Sequence, residues 1–114
     1  MQYLLLIYQN EAERPTGAAQ EKMFQEYGAF TQSIVQSGNF KAGDALQPPS
    51  TATTVRVRDG KPVVTDGPFA ETREALIGYY LVDAKDLDEA TGMAARIPTA
   101  RFGSIEVRPI WSYK

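Results

Sequence analysis

The chain contains no cysteine and no histidine. Without cysteine there are no disulfides and no thiolate nucleophiles, and without histidine there is no Ser-His-Asp triad and no imidazole metal site. The one side chain that titrates near neutrality unperturbed is also missing. Acid–base chemistry would have to use Asp, Glu, Lys or Tyr with a shifted pKa. A metal would need an all-oxygen shell of the kind that suits Mg²⁺ or Ca²⁺. No cofactor and no metal are expected. Charge of one sign is scarce too. Twelve Lys and Arg stand against 14 Asp and Glu, for a net charge of −2, with no basic stripe, so nucleic acid is not an expected partner. No apolar run approaches the roughly 20 residues that span a bilayer, so no membrane is expected. The opening MQYLLLIY lacks a basic region and a small-residue cleavage site, and reads as a strand rather than a signal peptide. With no cysteine either, a cytoplasmic location is expected.

The 114 residues, 43% hydrophobic and 23% charged, fit a single globular domain with a modest core. Residues 3–8 are continuously apolar, as in a strand buried on both faces. The polar stretch from Gln9 to Gly17 is a loop. A helix is predicted over 18–37, where Met23, Tyr27, Phe30 and Ile34 form one apolar stripe flanked by Phe24 and Val35. Gly38 stops it. A short second strand spans 40–46 and ends at Pro48-Pro49. Residues 53–58 and 61–65 flank Asp59-Gly60, a two-residue hairpin signal, and Pro62 marks the returning strand as an edge. The turn Asp66 to Ala70 leads into a second apolar strand at 75–82. Asp86 and Glu89 make a capping pair for a helix whose Leu87, Ala90, Ala94 and Ile97 share a face and which ends before Pro98. Ile105 to Arg108 alternates, with Pro109 at an edge.

This order, β-α-β-hairpin-β-α-β, predicts an α+β fold of ferredoxin-like βαββαβ type with an added β-hairpin. The two most apolar strands, 3–8 and 75–82, fall at the centre of such a sheet, and the weak or Pro-bearing ones at its edges. Both helices would cover one face. Yet residues 3–8 are apolar on both faces, with Tyr3, Leu5 and Ile7 on one and Leu4, Leu6 and Tyr8 on the other. An uncovered apolar sheet face predicts a two-fold homodimer, sheet against sheet.

Four segments together resemble the YCII-related family, in its DGPF-domain branch: VTDGPFAETRE from Val64 to Glu74, LQPPSTATTVR from Leu46 to Arg56, AARIP from Ala94 to Pro98, and GSIEVRP from Gly103 to Pro109. The strand Tyr3 to Tyr8 fits as well. The resemblance implies a dimeric α+β barrel and no settled activity. A His–Asp pair proposed for relatives cannot be carried over to a chain without histidine. The DGPF branch also implies a regulatory setting alongside sigma factors.

The candidate site centres on Asp66-Gly67-Pro68-Phe69. One reading is structural: Asp66 caps a turn, Gly67 and Pro68 shape it, and Phe69 plugs the core. The other sets the turn at the mouth of a cavity between helices and sheet, where Asp66 is a partly buried carboxylate with a raised pKa and Glu71 a second one. Arg101 would hold an anionic ligand or bridge to Asp66 or Glu71. Lys41, Asp44 and Tyr27 could line the same cavity, although core packing also accounts for Tyr27. Two functions follow. One is a cavity that binds a small molecule without chemistry. The other is a cofactor-free isomerase or lyase with Asp66 as acid or base.

Overall fold

A computed structural model describes residues 1–112. The described chain runs β1 (Gln2–Gln9), α1 (Gly17–Gln36), β2 (Phe40–Ala45), β3 (Thr53–Arg58), β4 (Lys61–Asp66), β5 (Ala75–Asp83), α2 (Leu87–Arg96) and β6 (Ser104–Pro109). Short 3-10 turns lie at Glu11–Glu13, Pro49–Thr51 and Pro98–Arg101. Four strands form one antiparallel sheet in the order β2-β5-β1-β6. The architecture is α+β and compatible with the ferredoxin-like arrangement, since the first and third strands of the β-α-β pairs are central. β3 and β4 form a separate two-stranded sheet.

Alternation decides what the strands bury. Tyr3, Leu5 and Ile7 of β1 are buried toward the helices, while Leu4, Leu6 and Tyr8 are only half-buried on the other face. On β5, Tyr80 and Val82 oppose Leu5 and Tyr3 across the ladder and join the core. β5 carries an extra residue at Ile77, because Ile7 pairs with Gly78 but Tyr8 pairs with Leu76. This bulge lets Ile77 pack against the core as well. The helices complete that layer with Phe30 and Ile34 from α1 and Ala90, Met93 and Ala94 from α2. Asp86 caps α2 by accepting from the Glu89 amide at 2.9 Å. Glu89 Oε1 in turn accepts from the Lys85 amide at 3.2 Å.

Burial along α1 is uneven. Phe30 and Ile34 are 6% and 0% exposed, whereas Phe24, one turn and a half earlier, is 66% exposed. Tyr27 and Met23 are half-buried. The amino-terminal half of the helix therefore covers the sheet only loosely. The second face of the sheet carries no helix. The molecule measures 48 × 47 × 18 Å with a radius of gyration of 16.1 Å. A compact chain of this length would have about 13 Å. The excess comes from two layers only, with the β3–β4 hairpin standing off them. All but one of its twelve strand residues are exposed.

Two glycines test this packing in opposite directions. A Cβ on Gly103 would lie 2.2 Å from the Tyr8 carbonyl oxygen and 2.8 Å from Thr99 Cγ2, while one on Gly28, mid-helix in α1, would meet nothing within 4 Å. Gly103→Ala is expected to lose about 2 kcal/mol or more through overpacking. Gly28→Ala is expected to gain about 0.5–1 kcal/mol. Urea denaturation of the two variants reads both signs.

Candidate functional site

The loose half of α1 creates a cavity of about 510 Å³ between that helix and the β2–β5 edge of the sheet. Met23, Phe24, Tyr27 and Thr31 form one wall, Ile7, Ile77 and Tyr80 the other, and Gly43, Ala45 and Gly78 the floor. Small residues keep the floor low. A Cβ on Gly43 would come within 2.7 Å of the Tyr80 ring, and one on Gly78 within 3.0 Å of the Asp44 carbonyl oxygen. Polar groups converge on the apolar walls in two pairs. The Tyr27 hydroxyl and Thr99 Oγ1 are 2.6 Å apart, and the Tyr80 hydroxyl and Thr31 Oγ1 are also 2.6 Å apart. Gln9, at the end of β1, faces the same space and is 4% exposed. Arg14 stands at the rim, 3.7 Å from Glu11. A largely apolar pocket of this size with a few placed polar groups suits a small organic ligand.

The turn at Asp66–Phe69 belongs to a different place. Gly67 adopts φ +97°, a left-handed conformation that favours glycine. Its amide donates to the Ala52 carbonyl at 2.7 Å, and its carbonyl accepts from Thr54 Oγ1 at 2.8 Å. The turn is thus bound to the start of β3. Pro68, Phe69 and Glu71 line a second cavity of about 860 Å³ with Tyr8, Glu11, Arg73 and Glu74. Asp66 borders neither cavity and is exposed at the end of β4. Phe69 is 78% exposed, so it does not plug the core. The hairpin holds the turn away from both helices.

The other expected residues separate in the same way. Tyr27 and Asp44 border the first cavity. Asp44 does so from the edge strand, while its carboxylate accepts from the Tyr79 hydroxyl at 2.7 Å. That contact holds the Tyr79 pKa above its ordinary value. Lys41 is exposed and borders neither cavity. Arg101 makes a bidentate pair with Glu26 of α1, at 2.7 and 2.9 Å, rather than with Asp66 or Glu71. Its hydrogen bonds hold the Glu26 carboxyl below the usual carboxylate range. Among the described residues no three Asp or Glu side chains gather to hold a metal ion.

Sequence reasoning missed Gln9, Thr31, Thr99 and Tyr80 as cavity residues. Gln9 did leave a signal. It continues the inward register of Tyr3, Leu5 and Ile7, so the alternation placed a polar side chain where an apolar one was due.

A family model described as the YCII-related domain matches residues 1–114. A protein of Rhizobium meliloti (strain 1021), described as uncharacterized, is 36% identical over an alignment of 118 residues, which covers 100% of this chain and 95% of that protein.

The cavity hydroxyls predict an alkaline limit to stability. Burial pushes the pKa of Tyr27 and of Tyr80 above the ordinary tyrosine value, which is about 10. The folded state therefore keeps these protons after the unfolded chain has released them. Their contribution is complete below about pH 10 and declines as pH rises through the folded-state values. Thermal unfolding between pH 8 and 11 is expected to show a falling Tm above pH 10. Tyr80→Phe should flatten that limb, and an unchanged limb would remove the tyrosines from the explanation.

Proposed function

We propose that this chain, which belongs to the YCII-related domain family, is a homodimer that binds a small organic molecule in the cavity between α1 and the β2–β5 edge. The observation that carries the reading is the cavity itself. It has an apolar lining, glycines on its floor and two hydroxyl pairs turned toward one space. Apolar walls provide affinity by excluding water, and the few polar groups provide orientation. We keep the chain in the DGPF branch on the strength of the Asp66–Phe69 segment. A sensor that binds without chemistry also fits the sigma-factor setting which that branch implies. Catalysis with Asp66 as acid or base is the weaker reading, because an exposed carboxylate outside the cavity has no substrate beside it.

The dimer rests on the uncovered face of the sheet. Leu4 and Leu6 of β1 register with Leu81 and Tyr79 of β5, so the two central strands present an apolar stripe. Arg108 and Glu106 of β6 lie across from the same two leucines, and Asp44 of β2 lies across from Tyr79. An apolar centre with a polar border is the usual anatomy of a protein interface. Two-fold stacking of such faces would complete a dimeric α+β barrel. A projecting two-stranded hairpin, marginal by itself in water, would also gain a surface to pack on.

Two measurements test these statements. Light scattering at micromolar concentration is expected to return twice the 12.6 kDa chain mass, with Leu6→Glu shifting it to the monomer; a monomeric wild type would refute the dimer. Titration with 2-naphthol, followed by amide NMR, is expected to move Thr31, Gly43 and Gly78, and Ile77→Trp should abolish the effect by filling the cavity. Shifts confined to residues 68–74 would place binding at the second cavity instead.

A further inference from the structure

The cavity has a polar end that the protein does not satisfy. Gln9 is 4% exposed, and no group among the described residues hydrogen-bonds its side-chain amide. The amide is not sealed inside the protein: among the described residues the fully enclosed side-chain oxygen without a partner is Glu11 Oε1, and Gln9 is reached from the cavity it borders. It is held there by crowding. A Cβ at Gly103 would sit 3.3 Å from the Gln9 Cβ and 2.8 Å from Thr99 Cγ2, so Gln9 and Thr99 press on the same point of the backbone. Thr99 is 1% exposed and shares its hydroxyl contact with Tyr27. Gln9, Thr99 and Tyr27 therefore meet at one end of the space, where burial raises the Tyr27 pKa further above its ordinary value.

The charge nearest that end is already paired: Arg101, whose field reaches the Tyr27 hydroxyl, is held by Glu26. The formally charged residues that border the cavity are Arg14 and Asp44. Arg14 lies beside Glu11 at the rim, and Asp44 is occupied by Tyr79. A buried ion would find no unpaired countercharge, and burying one would be unfavourable. An amide side chain offers a donor and an acceptor side by side, so its complement is a neutral group that offers an acceptor and a donor.

Building on the cavity reading, we propose that Gln9 is the recognition residue for an uncharged amide-like head group, such as a primary amide or lactam, on an otherwise apolar ligand, with Tyr27 and Thr99 bordering the same subsite. The apolar body of the ligand then extends along Ile77 and Met23 toward Phe24. Discrimination arises because a ligand without the head group displaces water from the Gln9 amide without replacing its hydrogen bonds, and one with a carboxylate introduces an unpaired charge.

The test compares three probes of one shape: 2-naphthamide, 2-naphthoate and 2-methylnaphthalene, by NMR titration at pH 7. The wild type is expected to bind 2-naphthamide at least about tenfold more tightly than either of the others. Gln9→Leu is expected to fold with an unchanged or higher Tm, since it removes an amide that the protein itself does not hydrogen-bond, and to erase the preference for the amide while retaining 2-methylnaphthalene. Equal binding of the amide and the hydrocarbon by the wild type would overturn the head-group assignment and leave the cavity reading intact. Failure of all three to bind would overturn both. The ranking by the wild type decides the matter even if the leucine variant does not fold.

Discussion

Tyr80 is the point at which the two layers of this fold are joined. Its ring projects from the central strand β5 into the core and meets Phe30 of α1 edge-on at 5.2 Å and Phe40 of β2 at 6.3 Å. Its hydroxyl reaches Thr31 on the next position of the helix. Each aromatic pair adds about 0.5–1.5 kcal/mol beyond its buried area, so one side chain ties a central strand, an edge strand and a helix together. The arrangement requires Gly43, because any Cβ there would press on the ring. The strand β2 is weak in sequence for that reason: its glycine gives up strand propensity so that the ring can lie against the backbone. Arg96 of α2 completes the cluster by standing over the Phe30 ring at 5.4 Å.

The same constraint explains where the cavity lies. The aromatic cluster fixes α1 at Phe30 and Ile34, in its carboxyl-terminal half. Toward Tyr27 and Met23 the sheet below loses bulk, first at Gly43 and Ala45 of the edge strand, then at Gly78 beside the bulge. A straight helix pinned at one end over a floor of glycines leaves space at the other. Native cores fill such space because voids cost contacts. It persists here with two hydroxyl pairs on its walls, which is what supports the proposed binding role.

Much of the fold was legible because local chemistry and topology agreed. The strands at 3–8 and 75–82, the hairpin at Asp59-Gly60 and the Asp86 cap all followed from patterns within a few residues, and each lies where it was expected within one or two positions. The site was less legible, because it is assembled from residues distant in sequence. Tyr27 and Thr99 are 72 residues apart, and no spacing rule pairs them. The Asp66–Phe69 turn drew attention through its composition, yet composition reports backbone needs first. Gly67 is there for a left-handed turn bound to Ala52 and Thr54. The conspicuous segment shapes the loop, while the chemistry of the cavity is carried by ordinary-looking residues on the inner faces of α1 and β1.

Gln9 shows how that second kind of residue can be found. A strand that reads Tyr3, Leu5, Ile7 on its buried face commits the next inward position to the same environment, whatever residue occupies it. A glutamine there must either meet a partner in the fold or remain short of one. The hydroxyls on the cavity walls are paired with one another, Tyr27 with Thr99 and Tyr80 with Thr31. No hydrogen bond reaches the Gln9 amide from the described residues, and Gln9 borders the same space as those pairs. On the proposed reading, a molecule from outside completes this position, and the pairing of the charges around it favours an uncharged head group.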